Sequence, residues 1–191
     1  MEKTGIEFSN KNLLVTYHPV TLEKQTSQKS FQALFDVLDD LKDIYLIFTM
    51  PNADSDGRII KNMINDFVKD HPKKSISFTS MGSLNYLSTL QFVDGVVGNS
   101  SSGLAEVPTF KIGTINVGDR QKGRLKADSI IDCEPTKKAI KQALVKLYSK
   151  NFLKNIDKIK NPYGKGDATK KIIKLLITQP IPEEIKKEFY D

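Results

Sequence analysis

Residues 94–106 read DGVVGNSSSGLAE. A short β-branched apolar run stops at Gly98. Three serines and a second glycine follow, and then a helical pattern that ends near Pro108. Serines and glycines at a strand-to-helix turn offer hydroxyls and backbone N–H groups at the start of a helix, and that arrangement binds phosphate. Glu106, six residues after Ser100, falls in the early turns of this helix. A carboxylate there can accept two hydrogen bonds from a vicinal diol such as a ribose. The same spacing equally suits a serine N-cap with a capping-box glutamate, which needs no ligand.

Working outward, five more short runs resemble 94–98: 12–17 (NLLVTY), 44–49 (IYLIFT), 75–79 (SISFT), 113–117 (GTINV) and 129–132 (SIID). Several are apolar on both faces, as strands of a buried parallel sheet are. Helical spacing separates them. Phe31, Leu34, Phe35, Leu38 and Leu41 form one stripe, Ile59, Ile60, Met63, Ile64, Phe67 and Val68 a second, and Ala139, Ile140, Ala143, Leu144 and Leu147 a third, opened by Pro135–Thr136. Strand and helix alternating this way predict βαβ units and an α/β fold, a Rossmann-like doubly wound parallel sheet. Residues 161–166 (NPYGKG) interrupt the pattern before a helix over about 167–177. The expected organisation is one domain over 1–178 and a tail helix over 179–191.

The 191 residues suffice for one domain with a sizeable core. With 39% hydrophobic and 27% charged residues, the composition excludes collagen, low-complexity disorder and a disulfide scaffold. The one cysteine, Cys133, has no partner for an internal bridge and suits a reducing compartment. No apolar run is long enough to span a bilayer, and the first residues, MEKTGIEFSNK, carry no apolar signal core. The expectation is a cytoplasmic protein with no membrane partner. The net charge of +6 is uneven: residues 137–191 hold 14 lysines and 6 acids. Those lysines alternate with apolar residues at helical spacing, so they read as solvated helix faces rather than a nucleic-acid surface.

In a parallel sheet of this kind ligands bind at the carboxyl ends of the strands. His18, in YHPVT after the first strand, can reach a phosphate or move a proton, although lone histidines are often structural. Gly118–Arg124, GDRQKGR, follows the fifth strand and sets Arg120 and Lys122 between glycines with Arg124 directly after, which suits a diphosphate or an exposed basic loop. The loop Ser80-Met81-Gly82-Ser83 follows the third strand, where its backbone could face a base. No metal-ligand spacing, nucleophile elbow, P-loop or G-x-G-x-x-G motif occurs. The residues alone read as a binding half for a nucleoside diphosphate or nucleotide sugar.

HPVT at 18–21, GNSSSGLAE at 98–106, INVGDRQKGR at 115–124 and NPYGKGDA at 161–168 resemble, in order and spacing, the UDP-N-acetylglucosamine 2-epimerases. The G-x-R-Q-x-G-R form resembles the hydrolysing branch, and the likeness runs over about 12–178. It implies the C-terminal half of a glycosyltransferase-B-like pair of Rossmann-like domains. The N-terminal half, which carries the catalytic carboxylates, is absent here, so this chain by itself is expected to be inactive. Carried over by the resemblance, Ser100 and Ser101 hold a diphosphate, Glu106 takes the ribose hydroxyls and Arg120 stands near the diphosphate and sugar. His18 is the functional histidine, and Met81 and Gly82 receive uracil through backbone atoms. Ala105 stands where some relatives carry a larger polar residue. The implied reaction eliminates UDP from a UDP-2-acetamido sugar. It then hydrates the glycal to the free C2 epimer, a ManNAc-type sugar for sialic-acid-like synthesis. No metal or cofactor is implied, and the full-length protein is expected to be a homo-oligomer. A glycosyltransferase half and a non-catalytic nucleotide-binding module remain open alternatives.

Overall fold

The structure, a computed structural model, describes residues 5–20, 26–51, 55–164 and 166–180. Six strands form one sheet: β1 (Asn12–Thr16), β2 (Tyr45–Thr49), β3 (Ser75–Phe78), β4 (Gly95–Gly98), β5 (Gly113–Val117) and β6 (Ile130–Cys133). All pair in parallel, in the order β3-β2-β1-β4-β5-β6. The chain therefore runs outward from β1 to one edge, returns to β4 and runs to the other. The reversal lies between β1 and β4, where a doubly wound sheet opens its ligand crevice.

Alternation along each strand builds two cores. Leu13, Val15, Leu46, Phe48, Val97 and Ile115 face one side. There they meet Phe31, Leu34 and Leu38 of α1 (Thr26–Asp40), Ile60 and Ile64 of α2 (Ser55–Asp70) and Ile140 and Leu144 of the helix over Lys137–Leu147. Leu14, Ile47 and Val96 face the other side with Leu90, Val93 and Val107. That face is covered by α3 (Gly82–Thr89), α4 (Ser102–Ala105) and a 3-10 turn over Val107–Phe110. With both faces covered, the middle strands β1, β2 and β4 have apolar centres, as the sequence pattern of several runs indicated.

The remaining helices are α5 (Lys137–Leu147), α6 (Lys150–Ile156) and α7 (Ala168–Thr178). Thr136 caps α5 by accepting a hydrogen bond from the Ala139 N–H. The lysines of α5 lie on its outer face, and two of them reach back to α1: Lys137 pairs with Asp36 and Lys141 with Asp40. These lysines hold both carboxyls below the usual carboxylate range.

The structure departs from the expectations at three places. Gly82 and Ser83, read as the end of a loop, open α3, a helix that the sequence pattern did not mark. The helix after the serines lasts one turn, because Pro108 brings no N–H and the chain tightens into the 3-10 turn. Glu106 accordingly sits at the junction of α4 and that turn. A separate α6 starts where Ser149 caps it. Helix α7 lies where it was expected, yet it has no buried residue. The 181–191 part of the expected tail helix lies outside the described residues.

Candidate functional site

The crevice at the sheet reversal is a cavity of about 490 Å³. The end of β1 supplies Thr16 and His18, the end of β2 Thr49, and the segment after β3 Ser80, Met81 and Gly82. The end of β4 supplies Ser100, Ser102 and Glu106. Thr16 and Thr49 occupy matching positions on neighbouring strands, and their hydroxyls lie 2.7 Å apart at the cavity floor.

Gly98 makes the approach of β1 and β4 possible. Its φ is +143°, and a Cβ there would stand 1.9 Å from the Thr16 carbonyl oxygen. Gly82 has φ +65°, which lets the chain turn sharply from β3 into α3. Below the serines, the Thr114 hydroxyl donates to the Gly103 carbonyl and ties α4 to β5.

The serine turn is not a capping box. Ser101 occupies the N-cap position of α4, but its side chain makes no capping bond. The Ser100 hydroxyl accepts a long 3.4 Å bond from the Ser102 N–H. Among the described residues the Ser100 and Ser101 N–H groups have no protein acceptor. Two unmatched donors beside a cavity can hold an anion, as successive backbone N–H groups in a turn do. Since α4 is a single turn, the helix dipole would add little there.

Of the sequence-predicted residues, the cavity brings together His18, Met81, Gly82, Ser100 and Glu106. Ser101 and Arg120 are not in its wall. Arg120 is exposed at the rim, where its guanidinium donates to the Asn99 carbonyl at 3.1 Å. The adjacent Gln121 is buried and donates to the same carbonyl at 2.7 Å. Near the edge, Lys126 and Asn116 both donate to Asp132, which keeps that part of the loop against β6.

Sequence reasoning missed three groups. Tyr86, on α3, lies 2.6 Å from the Ser102 hydroxyl. Burial, with a smaller contribution from the Glu106 charge, pushes the Tyr86 phenol up to about 12, so it stays protonated at neutral pH. Asn99, inside the serine motif, is buried and bonds the His18 backbone. Thr16 and Thr49 carried a usable signal, being polar residues at the carboxyl ends of apolar strands. Elsewhere, Cys133 is pushed up to about 12 by burial and the neighbouring Asp132 and Glu134, which leaves its thiol protonated.

Residues 161–164 form a strap. Asn161 donates to the Ala105 carbonyl at 2.7 Å and to the Thr109 hydroxyl at 2.8 Å. The Tyr163 hydroxyl donates to the Leu125 carbonyl. The strap thus braces the peptide immediately before Glu106. Among the described residues, no helix is long and apolar enough to cross a membrane. No cluster of three His, Cys, Asp or Glu among them could hold a metal.

This geometry defines a Rossmann-like domain with a polar crevice at its topological switch point. The model of the family described as UDP-N-acetylglucosamine 2-epimerase matches residues 1–177, and the chain belongs to that family. It is 44% identical over 161 residues to the GDP/UDP-N,N'-diacetylbacillosamine 2-epimerase (hydrolyzing) of Campylobacter jejuni, covering 84% of this chain and 41% of that protein. Among solved structures it resembles the Methanocaldococcus jannaschii UDP-GlcNAc 2-epimerase in complex with UDP-GlcNAc and UDP. The TM-score there is 0.68 at 17% identity, over 87% of this chain and 45% of that one. It also resembles the C-terminal domain of a glycosyl transferase group 1 family protein, LpcC, from Francisella tularensis, with a TM-score of 0.54 at 16% identity. That match covers 82% of this chain and 84% of the other. The fold is therefore that of the C-terminal half of a glycosyltransferase-B-like protein. The chain spans about half the length of the 2-epimerases it matches.

Proposed function

We propose that this chain is the UDP-holding half of a hydrolysing UDP-2-acetamido-sugar 2-epimerase. The observation that carries the reading is the crevice between β1 and β4, which gathers His18, the serine turn and Glu106 beside two unmatched backbone donors. Ser100 and Ser101 hold the diphosphate through their N–H groups and hydroxyls. Glu106 accepts from the ribose hydroxyls, and the Met81–Gly82 backbone faces uracil. Arg120, held against the Asn99 carbonyl, reaches the second phosphate with its remaining N–H groups, and His18 stands at the sugar side of the diphosphate.

Elimination of UDP develops negative charge on the departing phosphate oxygen. Fixed N–H donors and an arginine are the groups that stabilise such charge without a metal. The protons on the sugar carbon then fall to carboxylates of an N-terminal half, and water adds to the glycal to give the free C2 epimer, a ManNAc-type sugar. The name of the Campylobacter relative supports a diacetamido sugar as a substrate alongside UDP-GlcNAc. Helix α7 and the 179–191 tail would contact the N-terminal half, and the complete protein would work as a homo-oligomer in the cytoplasm.

The test supplies an N-terminal half from a relative, joined to this chain, and follows UDP and free sugar released from UDP-GlcNAc and from a UDP-diacetamido sugar. The reading predicts a free amino sugar with C2 inverted. Transfer of the sugar intact to an acceptor would instead indicate a glycosyltransferase.

A further inference from the structure

Asn99 itself does not line the cavity, yet it touches three of the loops that do or that border it. Its residue is 1% exposed. Its side-chain oxygen accepts from the His18 N–H at 2.7 Å, and its side-chain nitrogen donates to the His18 carbonyl at 2.7 Å. Its own N–H donates to the Thr16 carbonyl at 3.2 Å. Its carbonyl accepts from both Arg120 and Gln121.

The β1–β4 ladder ends with Thr16 opposite Gly98. Past that rung the two chains must part to open the crevice. The Asn99 amide then stands in for a peptide group and adds one more rung, closed on both sides by the His18 backbone. A side chain reaching across the gap holds the two chains at a wider spacing than a backbone ladder allows. The carbonyl on the same residue anchors the loop after β5. Ends of β1, β4 and β5 are thereby fixed to one buried residue.

Resting on the nucleotide reading above, we propose that Asn99 is a positioning residue that keeps His18 and Arg120 in register around the second phosphate of a nucleoside diphosphate. Only an amide serves both His18 bonds. Aspartate would set an oxygen against the His18 carbonyl, and serine is too short to span the gap. The uridine contacts rest on Met81, Gly82 and Glu106, none of which Asn99 bonds. Losing the Asn99 side chain therefore harms recognition of the second phosphate selectively, whereas a purely structural role would harm all nucleotides alike.

The experiment compares the chain with its Asn99→Asp and Asn99→Ser variants, titrated with UDP and UMP at fixed salt, with circular dichroism confirming the fold. The expected result is UDP affinity reduced about tenfold or more, the scale of losing buried hydrogen bonds, with UMP affinity within about twofold. If both variants unfold, Gln121→Met removes the shorter, buried one of the loop's two bonds to the Asn99 carbonyl, and a loss of UDP-over-UMP preference in the same direction is expected. Variants that keep the wild-type preference, or that lose UDP and UMP equally, overturn the positioning role alone. A wild-type chain that prefers neither nucleotide overturns the nucleotide reading, and this inference with it.

Discussion

At the scale of single residues, the site depends on where Glu106 ends up. It closes α4 and opens the 3-10 turn, and Asn161 braces the peptide before it from the strap. With its backbone held on both sides, only the exposed Glu106 side chain has to order when it meets a diol. Glu106→Ala is expected to weaken UDP binding by about 1–3 kcal/mol, the scale for hydrogen bonds to a charged group. Calorimetry on the variant checks this, and an unchanged affinity would remove Glu106 from the site. The sequence displayed Glu106, His18 and the serines openly, because each follows a legible strand. Asn99 was hidden for a physical reason: its partners lie 81 and 21–22 residues away, and nothing local marks an amide that bonds a distant backbone. Arg120 illustrates the converse. Its place in a cationic loop was plain, but its contact with the Asn99 carbonyl at the rim was not.

At the scale of elements, the strands were readable because burial on both faces leaves the centres of β1, β2 and β4 apolar. Helices α1, α2 and α5 were readable because one face of each enters the larger core. Helix α3 was not, since GSLNYLST carries few apolar residues and opens with a glycine. The short α4 was overextended in sequence because apolar residues continue through Val107 into the 3-10 turn. The closest constraint between elements is at Gly98, where β4 meets β1. Gly98→Ala must clear 1.9 Å to the Thr16 carbonyl oxygen and adopt a φ of +143°. Strain and overpacking together are expected to cost roughly 2–5 kcal/mol. Thermal unfolding measures it, and an unchanged melting temperature would mean that β1 and β4 do not approach so closely.

At the scale of the whole molecule, the described residues form a doubly wound sheet covered on both faces, and among them α7 stands out as a helix with no buried residue. Helix α7 exposes Ile172, Ile173, Leu175, Leu176 and Ile177. Together with a length about half that of the family's matched members, this agrees with a domain that works beside another. Under the proposed division of labour, this half grips the leaving group and its partner handles the sugar's protons. The central claim is that the grip resides here. The most direct test is to titrate this chain, by itself, with UDP, UMP and ADP by calorimetry. The account predicts binding of UDP ahead of UMP, and of UDP ahead of ADP. Equal binding of UDP and ADP, or no heat with any of them at millimolar concentration, would contradict it.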